Sequence, residues 1–208
     1  MRIAIIADDL TGAGDSGVQM RKAGIPSSVL FSGRSPDLRT TSDGLAIDTD
    51  SRALPMKEAY DRVYAITRAL TEHHHPFLYK KVDSTLRGNL GAEIDAVLDA
   101  SAKLFAVVVP AFPAIGRTTE RGIHYVHGVP LVETEVANDP KTPVKTSHLV
   151  DLLQEQSKRR VGLLSETALA NKQSFSEALS DLLASGHRLI AVDITAESSL
   201  RALAHYLL

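Results

Sequence analysis

The feature that most constrains the fold is an apolar run at the start of the chain that ends in two carboxylates. Residues Ile3–Ala7 are continuously apolar, which is the pattern of a strand buried on both faces of a sheet. Asp8 and Asp9 follow directly, and the small residues of 11–17 lead the chain toward a helix. Open α/β sheets bind their ligands at the carboxyl ends of the strands. The sequence therefore predicts a polar ligand site at the end of the first strand.

Short apolar runs alternate with helical patterns along nearly the whole chain. Further strands are predicted at residues 27–31, 44–48, 77–82, 105–109, 161–164 and 189–194. This alternation predicts the α/β class, with a mostly parallel open sheet and helices on both of its faces. The 105–109 run is the most hydrophobic, so we expect it to be a central strand of that sheet. Residues 122–126 and 129–134 are predicted to form a β-hairpin that projects from the α/β core.

Composition excludes several classes of function. The 208 residues are 44% hydrophobic and 23% charged, which is typical of a globular protein. A net charge of −2 gives no electrostatic argument for binding nucleic acid or an anionic membrane. The chain has no cysteine, which excludes disulfides, thiolate zinc sites and cysteine nucleophiles. No apolar run approaches the roughly 18 residues of a membrane span, and the start of the chain enters a strand without a basic and apolar leader, so we expect a cytoplasmic protein.

Polar side chains follow several of the predicted strands. In a parallel sheet one edge would gather Asp8, Asp9, Asp15, Asp48, Ser51, Arg52, Lys81, Asp83, Arg87 and Arg117. Carboxylates at such an edge accept hydrogen bonds from hydroxyl groups, and arginine and lysine bind a carboxylate or a phosphate. The residue chemistry therefore favours a small polyhydroxy acid as the ligand.

Two other interpretations apply to the glycine-containing stretch. Asp9 or Thr11 can cap the first helix, which explains one polar residue but not three aspartates around one turn. Residues 12–17 also have the spacing G-x-G-x-x-G of dinucleotide-binding proteins. Because Asp8, Asp9 and Asp15 would repel a pyrophosphate there, nicotinamide binding is a minor alternative.

Four motifs resemble the four-carbon acid sugar kinase family, which includes threonate, erythronate and 3-oxo-tetronate kinases. They are ADDLTGAGD at 7–15, KKVDSTLRGN at 80–89, PAFPAIGR at 110–117 and NDPKTPV at 138–144. The resemblance runs in order along the chain. It implies that residues 1–208 are an N-terminal sugar-acid-binding domain, which the family follows with a C-terminal nucleotide-binding domain. It also implies ATP-dependent phosphorylation of a terminal hydroxyl, with magnesium.

The resemblance also implies roles for individual residues. The implied substrate-binding residues are Asp8, Asp9, Thr11, Lys81, Asp83, Ser84, Arg87 and Arg117. Asp9 and Asp15 are the candidate catalytic residues, and the base or hydroxyl-orienting group is one of these two or Asp8. Arg87 and Lys81 would hold the carboxylate or the developing phosphoryl charge. Metal ligands stay open, since consecutive histidines at 73–75 point in different directions around a helix end and favour interaction with its C-terminus.

The chain departs from the family pattern because no second glycine-rich phosphate loop follows residue 89. We therefore expect the C-terminal half to be missing, ATP and magnesium to be bound mainly by that half, and this chain alone to lack kinase turnover. A non-catalytic sugar-acid-binding module is the main alternative function. Nicotinamide-dependent oxidation and Schiff-base chemistry at Lys81, which needs a desolvated pocket, are further alternatives. The hairpin would allow a homo-oligomer, and the stereoisomer of the ligand stays open.

Overall fold

A computed structural model describes residues 2–31, 42–73 and 77–207 of the chain. His74 and His75, part of the histidine run discussed above, lie outside the described residues. The chain forms two compact units. Unit 1 comprises Met1–Asp83 and Gly88–Lys103, and unit 2 comprises Ser84–Arg87 and Leu104–Leu208.

The sheet of unit 1 has four parallel strands, and its strands end side by side. They are β1 (Ile3–Ala7), β2 (Ser27–Phe31), β3 (Gly44–Asp48) and β4 (Phe77–Lys81), in the spatial order β2-β3-β1-β4. The register sets the last residue of β1, Ala7, beside Asp48 of β3 and Lys81 of β4. The residues that follow these strands therefore leave the sheet at one edge.

Helices cover both faces of this sheet, as the alternating pattern predicts. Helix α1 spans Leu10–Lys22, α2 spans Met56–Glu72 and α3 spans Leu90–Ser101. On one face, Val63 and Leu70 of α2 pack with Ile6 of β1 in a fully buried core. On the other face, Met20 of α1 packs against Ala46 of β3. Every residue of β3 is buried because helices cover it on both faces, which is why its sequence is nearly continuously apolar.

Unit 2 has a smaller parallel sheet and an antiparallel one. The parallel sheet contains β5 (Ala106–Val108), β9 (Val161–Leu164) and β10 (Leu189–Val192) in the order β5-β10-β9. Its helices are α4 (Leu149–Gln156), α5 (Lys172–Ala184) and α6 (Glu197–Leu207). The antiparallel sheet contains β6 (Arg117–Glu120), β7 (Ile123–Val126) and β8 (Val129–Pro130) in that order. The backbone groups of Thr119 and Ile194 bond reciprocally, so β6 is tied to the chain just after β10.

The predicted α/β class with mostly parallel strands, helices on both faces and a hairpin is confirmed. Two details are wrong. The strands form two parallel sheets instead of one, so the end of β5 does not share a sheet edge with β1, β3 and β4. Also, β5 is a short edge strand, and fully buried β10 is the central one. Pro110, which lacks an N–H for the ladder, closely follows β5 and helps to keep it short.

The hairpin prediction is confirmed and needs one addition. Strand β6 pairs with β7 and extends the hairpin to three strands. The second arm, β8, is only two residues long, because a short 3₁₀ turn at Leu131–Glu133 follows it. No helix within the described ranges is long and apolar enough to cross a bilayer.

Candidate functional site

Asp9 is fixed at the start of α1 by its role as the N-cap. Its backbone is extended, and its Oδ1 accepts a 2.8 Å hydrogen bond from the amide of Gly12. This bond satisfies one of the N–H groups that a helix leaves unpaired in its first turn. A Cβ at Gly12 would lie 2.8 Å from that Oδ1 and 3.5 Å from Cγ of Lys81. The absence of a side chain at Gly12 therefore lets the carboxylate of Asp9 and the stem of Lys81 approach the helix end.

Arg52 connects the carboxylates at the end of β1. Its Nε lies 2.6 Å and its Nη2 lies 3.2 Å from the two oxygens of Asp8, a bidentate contact. Its Nη1 lies 2.8 Å from Oδ2 of Asp9. Its Nη2 also lies 3.7 Å from Oδ1 of Asp83, which follows β4. One guanidinium thus joins carboxylates from the ends of two neighbouring strands, and we call Asp8, Asp9, Arg52 and Asp83 the carboxylate cluster.

The loop between β3 and α2 places Arg52 by backbone bonds to the end of β1. The amides of Ser51 and Arg52 donate to the carbonyl of Asp8 over 3.0 and 3.2 Å. The amide of Thr49 donates to the carbonyl of Ala7 over 2.8 Å. Asn89, just before α3, donates from Nδ2 to the carbonyl of Leu54 over 2.9 Å. The loop therefore continues the β1–β3 pairing beyond the sheet, and this fixes where the side chain of Arg52 begins.

A chain of buried polar groups lies beneath this loop. The hydroxyls of Thr49 and Ser51 are 2.7 Å apart, and Ser51 Oγ donates to Glu93 Oε1 over 2.7 Å. The other oxygen of Glu93 forms a 2.7 Å ion pair with Nζ of Lys80, and the two side chains are only 2% and 7% exposed. Lys80 Nζ also donates to the carbonyl of Lys81 over 2.8 Å. Buried charges of this kind persist only when each is paired and hydrogen-bonded, as here.

Electrostatics at the cluster favour a ligand that donates hydrogen bonds. Three carboxylates face one guanidinium, so the formal charge of the cluster is negative. Burial alone would lower the pKa of Arg52, but the hydrogen bond and charge of Asp8 raise it above its ordinary value, so this residue stays charged. Burial raises the pKa of nearby Asp48, although the amide of Asp50, which donates to it, opposes this change. The cluster is therefore better suited to hydroxyl groups than to an anion.

The other predicted residues of unit 1 differ in their exposure. Lys81 is half-buried, and its Nζ donates to the carbonyl of Val82 over 2.6 Å. Because an ammonium group has three N–H donors, this contact leaves capacity for a ligand anion. Thr11 and Asp15 are both exposed on α1. Asp15 lies six residues beyond the N-cap, Asp9, so the geometry favours Asp9 over Asp15 as a hydroxyl-orienting group.

The remaining predicted residues, Ser84, Arg87 and Arg117, belong to unit 2. The carbonyl of Ser84 lies 2.9 Å from Nε2 of the fully buried His124. Nη1 of Arg87 lies 3.2 Å from Oδ2 of Asp139. The prediction that these groups share a pocket with the carboxylate cluster stays a prediction.

Arg117 stands at the start of β6. Its Nη1 donates to the carbonyl of Ile115 over 2.9 Å and lies 3.1 Å from Nε2 of His127. Its Nε is buried and has no hydrogen-bond partner among the described residues. A guanidinium with unused donor capacity is consistent with the predicted role of Arg117 in binding an anion.

Asp139 and Leu86 define the environment of Arg87. Asp139 accepts from the amides of Thr142 and Lys141, and these bonds, with that of Arg87, lower its pKa to about 2. Leu86 is buried and has a φ of 59°. This left-handed conformation is unfavourable for a bulky residue, and strained residues of this kind cluster at functional sites.

Sequence reasoning did not select Arg52 or Glu93 for the site. Arg52 stood among the polar residues expected at the sheet edge, but nothing in its neighbourhood indicated that it would pair with Asp8, 44 residues away. Glu93 lies in a helix of mostly apolar residues, where a glutamate has no sequence signature of burial. The available signal for Arg52 was its place in the run of polar residues directly after β3, a strand whose five residues are all buried.

The G-x-G-x-x-G spacing does not form a phosphate-binding turn. Gly12, Gly14 and Gly17 all lie within α1, and the Gly12 amide is already bonded to Asp9. Gly17 serves packing, because a Cβ there would lie 2.8 Å from Cγ2 of Val29. Within the described residues, no set of three or more histidines and carboxylates has a metal-binding arrangement. The glycines of α1 therefore do not provide a phosphate-binding turn.

Comparisons with known proteins identify the family of the chain. The family model described as "Sugar-binding N-terminal domain" matches residues 3–208. The chain is 41% identical over 207 residues to the D-threonate kinase of Salmonella typhimurium, covering 98% of this chain and 48% of that kinase. It is also 41% identical over 207 residues to the D-erythronate kinase of Heliobacterium modesticaldum, covering 98% of this chain and 47% of the kinase. The chain thus spans about half the length of the curated relatives it matches.

A solved structure supports the same assignment. A domain of unknown function from Bordetella bronchiseptica, crystallised as a domain-swapped dimer with bound citrate, superposes with a TM-score of 0.83 at 36% identity. The superposition covers 98% of this chain and 50% of that protein. With the family match over 3–208, the chain belongs to the family of sugar-binding N-terminal domains found in four-carbon acid sugar kinases.

Proposed function

We propose that this chain is the substrate-binding half of an ATP-dependent kinase that phosphorylates a terminal hydroxyl of a four-carbon sugar acid. The threonate, erythronate and 3-oxo-tetronate acids form the substrate class. The observation that carries the proposal is the carboxylate cluster at the end of β1, in which Arg52 holds Asp8 and Asp9. The names of the relatives support the kinase role. Citrate, which is bound in the Bordetella structure, is a hydroxy acid and supports the ligand class.

Asp9 has the geometry of a hydroxyl-orienting group. Among the described residues, each of its oxygens has one partner, the Gly12 amide for Oδ1 and Arg52 for Oδ2. A carboxylate oxygen has a second lone-pair site, so a substrate hydroxyl can donate to Asp9 without displacing either partner. In the kinase, Asp9 would orient the hydroxyl that is phosphorylated and accept its proton, with Asp8 and Asp15 as the other candidates.

Cationic residues would bind the acid group of the substrate. Lys81 is the last residue of β4. Its side-chain stem lies close to Gly12, as does the carboxylate of Asp9. Arg87 follows the strained Leu86, and that strain supports a functional role for the segment. Thr11, Asp83, Ser84 and Arg117 stay proposed substrate-binding residues.

The nucleotide and the metal belong to the part of the kinase that this chain does not match. ATP would supply the phosphoryl group and magnesium would neutralise its charge. In this division of roles, the present chain binds and orients the acceptor. We therefore expect no turnover by residues 1–208 alone, and we expect the kinase to work in the cytoplasm, where ATP is available. A non-catalytic binding module would have the same site.

Calorimetric titration of D-threonate and D-erythronate tests the binding function. The unmodified chain should bind at least one of these acids, and Asp9→Asn should weaken that binding about tenfold or more, because a charge-assisted hydrogen bond is lost. Asp15→Asn is the comparison variant, since it makes the same change at an alternative candidate on the exposed side of α1. Absence of binding to either acid would reject the proposal. Loss of binding in Asp15→Asn, with retention in Asp9→Asn, would assign the hydroxyl-orienting role to Asp15 in place of Asp9.

A fusion of this chain to the remaining half of the Salmonella D-threonate kinase tests the kinase role. If the proposal is correct, the fusion phosphorylates the acid that this chain binds, and Asp9→Asn abolishes the reaction. A fusion that binds the acid and the nucleotide but transfers no phosphate would favour the binding-module alternative. Phosphorylation by residues 1–208 alone would show that the nucleotide site is within this chain.

A further inference from the structure

Arg52 would be the obvious group to bind the carboxylate of an acidic ligand, but most of its N–H groups already face carboxylates of the protein. Its Nε and Nη2 contact both oxygens of Asp8, and its Nη1 contacts Asp9. Its side chain is only 17% exposed. A ligand carboxylate that reached this guanidinium would also meet the carboxylates of Asp8, Asp9 and Asp83, and like charges at such distances repel.

We propose that Arg52 is a positioning residue that aims Asp8 and Asp9 at the hydroxyl groups of the sugar acid and does not bind its carboxylate. This inference rests on the proposed function and deepens it by dividing the site into a hydroxyl end and an acid end. The hydroxyl end is the carboxylate cluster. The acid end is cationic and contains Lys81, the last residue of β4.

The contacts of Arg52 suit this role because they fix direction as well as charge. Asp8 meets the guanidinium with both oxygens, which sets the plane of its carboxylate. Asp9 is held from two sides, by Arg52 and by the Gly12 amide. Two carboxylates joined to one planar cation have fixed positions relative to each other, so their remaining lone pairs define where ligand hydroxyls can donate.

Arg52 is itself held tightly enough to act as a fixed support. Its amide bonds to the carbonyl of Asp8, so its backbone and its side chain contact the same residue. Its stem packs beside Gly88, where a Cβ would lie 3.1 Å from Cγ and 3.3 Å from the carbonyl oxygen of Arg52. Gly88 also has a φ of 90°, a conformation that favours glycine. The adjacent Ser51 is anchored to the buried Glu93.

A ligand series separates the positioning role from direct carboxylate binding. The tighter-binding acid of D-threonate and D-erythronate is titrated by calorimetry, together with its neutral amide and two deoxy acids, 3,4-dihydroxybutanoate and 2,3-dihydroxybutanoate. The preference for the parent acid over the amide reports recognition of the carboxylate. The preference for the parent acid over the deoxy acids reports recognition of the hydroxyls. Both preferences are measured in the unmodified chain, in Arg52→Gln and in Arg52→Lys.

We expect Arg52→Gln to weaken binding of the parent acid about 10- to 100-fold, since it releases two charge-assisted acceptors. The ratio of affinities for the parent acid and the deoxy acids should fall toward one. The ratio for the parent acid and its amide should stay as in the unmodified chain. Arg52→Lys should recover part of the hydroxyl preference, because lysine restores the charge but not the planar fork. It also provides a folded comparison if Arg52→Gln does not fold.

Arg62→Gln is the matched control. Arg62 donates to the carbonyls of Thr49 and Asp50, so it supports the same loop without contacting Asp8 or Asp9 in the described bonds. This variant should keep both preferences. If Arg62→Gln lowers the hydroxyl preference as much as Arg52→Gln does, the effect belongs to the loop and the positioning role is rejected.

Two further outcomes would overturn the inference in different ways. Loss of the carboxylate preference in Arg52→Gln, with the hydroxyl preference retained, would show that Arg52 binds the acid group. Absence of binding by the unmodified chain to every acid in the series would reject the proposed function together with this inference. The first outcome leaves the proposed function intact, so the two failures are distinguishable.

Discussion

The buried ion pair between Lys80 and Glu93 provides the most demanding test of the packing in unit 1. Lys80→Met removes the ammonium and leaves the carboxylate of Glu93 buried, with Ser51 as its remaining bonded partner in the described contacts. Methionine nearly preserves the length of the lysine stem, so the change is mainly one of charge. The side chains are 7% and 2% exposed, and water can therefore do little to replace the lost partner.

The expected magnitude follows from this burial. Removing one partner of a buried ion pair costs about 3–5 kcal/mol. In a chain of this size, 1 kcal/mol corresponds to about 2–4 °C in Tm, so Lys80→Met should lower Tm by about 6–20 °C. The double variant Lys80→Met/Glu93→Leu should recover most of this loss, because it removes the orphaned charge as well.

Differential scanning calorimetry at pH 7 measures these changes, and the chain offers an exposed pair as the control. Arg68 and Glu72 form a 2.9 Å ion pair on α2, with side chains 60% and 61% exposed. Glu72→Gln should change Tm far less than Lys80→Met does, since solvent screens an exposed helical pair. If Lys80→Met changes Tm by no more than Glu72→Gln does, the reasoning about the buried pair is wrong. A double variant less stable than Lys80→Met would contradict it as well.

Two other perturbations test the site and its surroundings. Gly12→Ala should displace the carboxylate of Asp9 and weaken sugar-acid binding in a calorimetric titration. The control Gly14→Ala, whose Cβ would meet nothing within 4 Å, should leave binding unchanged and stabilise α1 by about 0.5–1 kcal/mol. Equal effects of the two variants on binding would contradict the role of Gly12. The pKa of Asp139 is lowered from 3.8 to about 2, so its charge contributes stability above about pH 4 that is lost as the pH falls toward 2. Asp139→Asn should therefore lower Tm much more at pH 7 than at pH 2. A difference in Tm that is constant across this range would exclude the charge of Asp139 as the cause.

Local sequence patterns were sufficient for most elements and for placing Asp8 and Asp9 at the end of a strand. The apolar run of β1, the carboxylates after it and the small residues leading into α1 were predicted, and Asp9 caps the helix as one of the two expected residues. These features depend on interactions within a few residues along the chain, such as side-chain periodicity and the capping of free amides. The same patterns placed Asp8 and Asp9 at the end of a strand, which is where the structure has them.

The pairing of strands into sheets was not determined by such patterns. The run at 105–109 has the strongest hydrophobic signal, yet β5 is a short edge strand of a second sheet. Hydrophobicity predicts burial, but it does not specify whether neighbouring strands or helices and loops provide the cover. Strand order depends on contacts between residues far apart in the chain, and these are not encoded in any single window of sequence.

The sequence by itself determined the α/β class, the family resemblance and the carboxylates at the end of the first strand. Only the tertiary structure decided that Arg52 pairs with Asp8 and Asp9 and that Lys80 and Glu93 form a buried pair beneath it. The physical reason is distance along the chain. Arg52 reaches Asp8 across 44 residues, through the parallel pairing of β1 with β3, so its partners exist only after the sheet has formed.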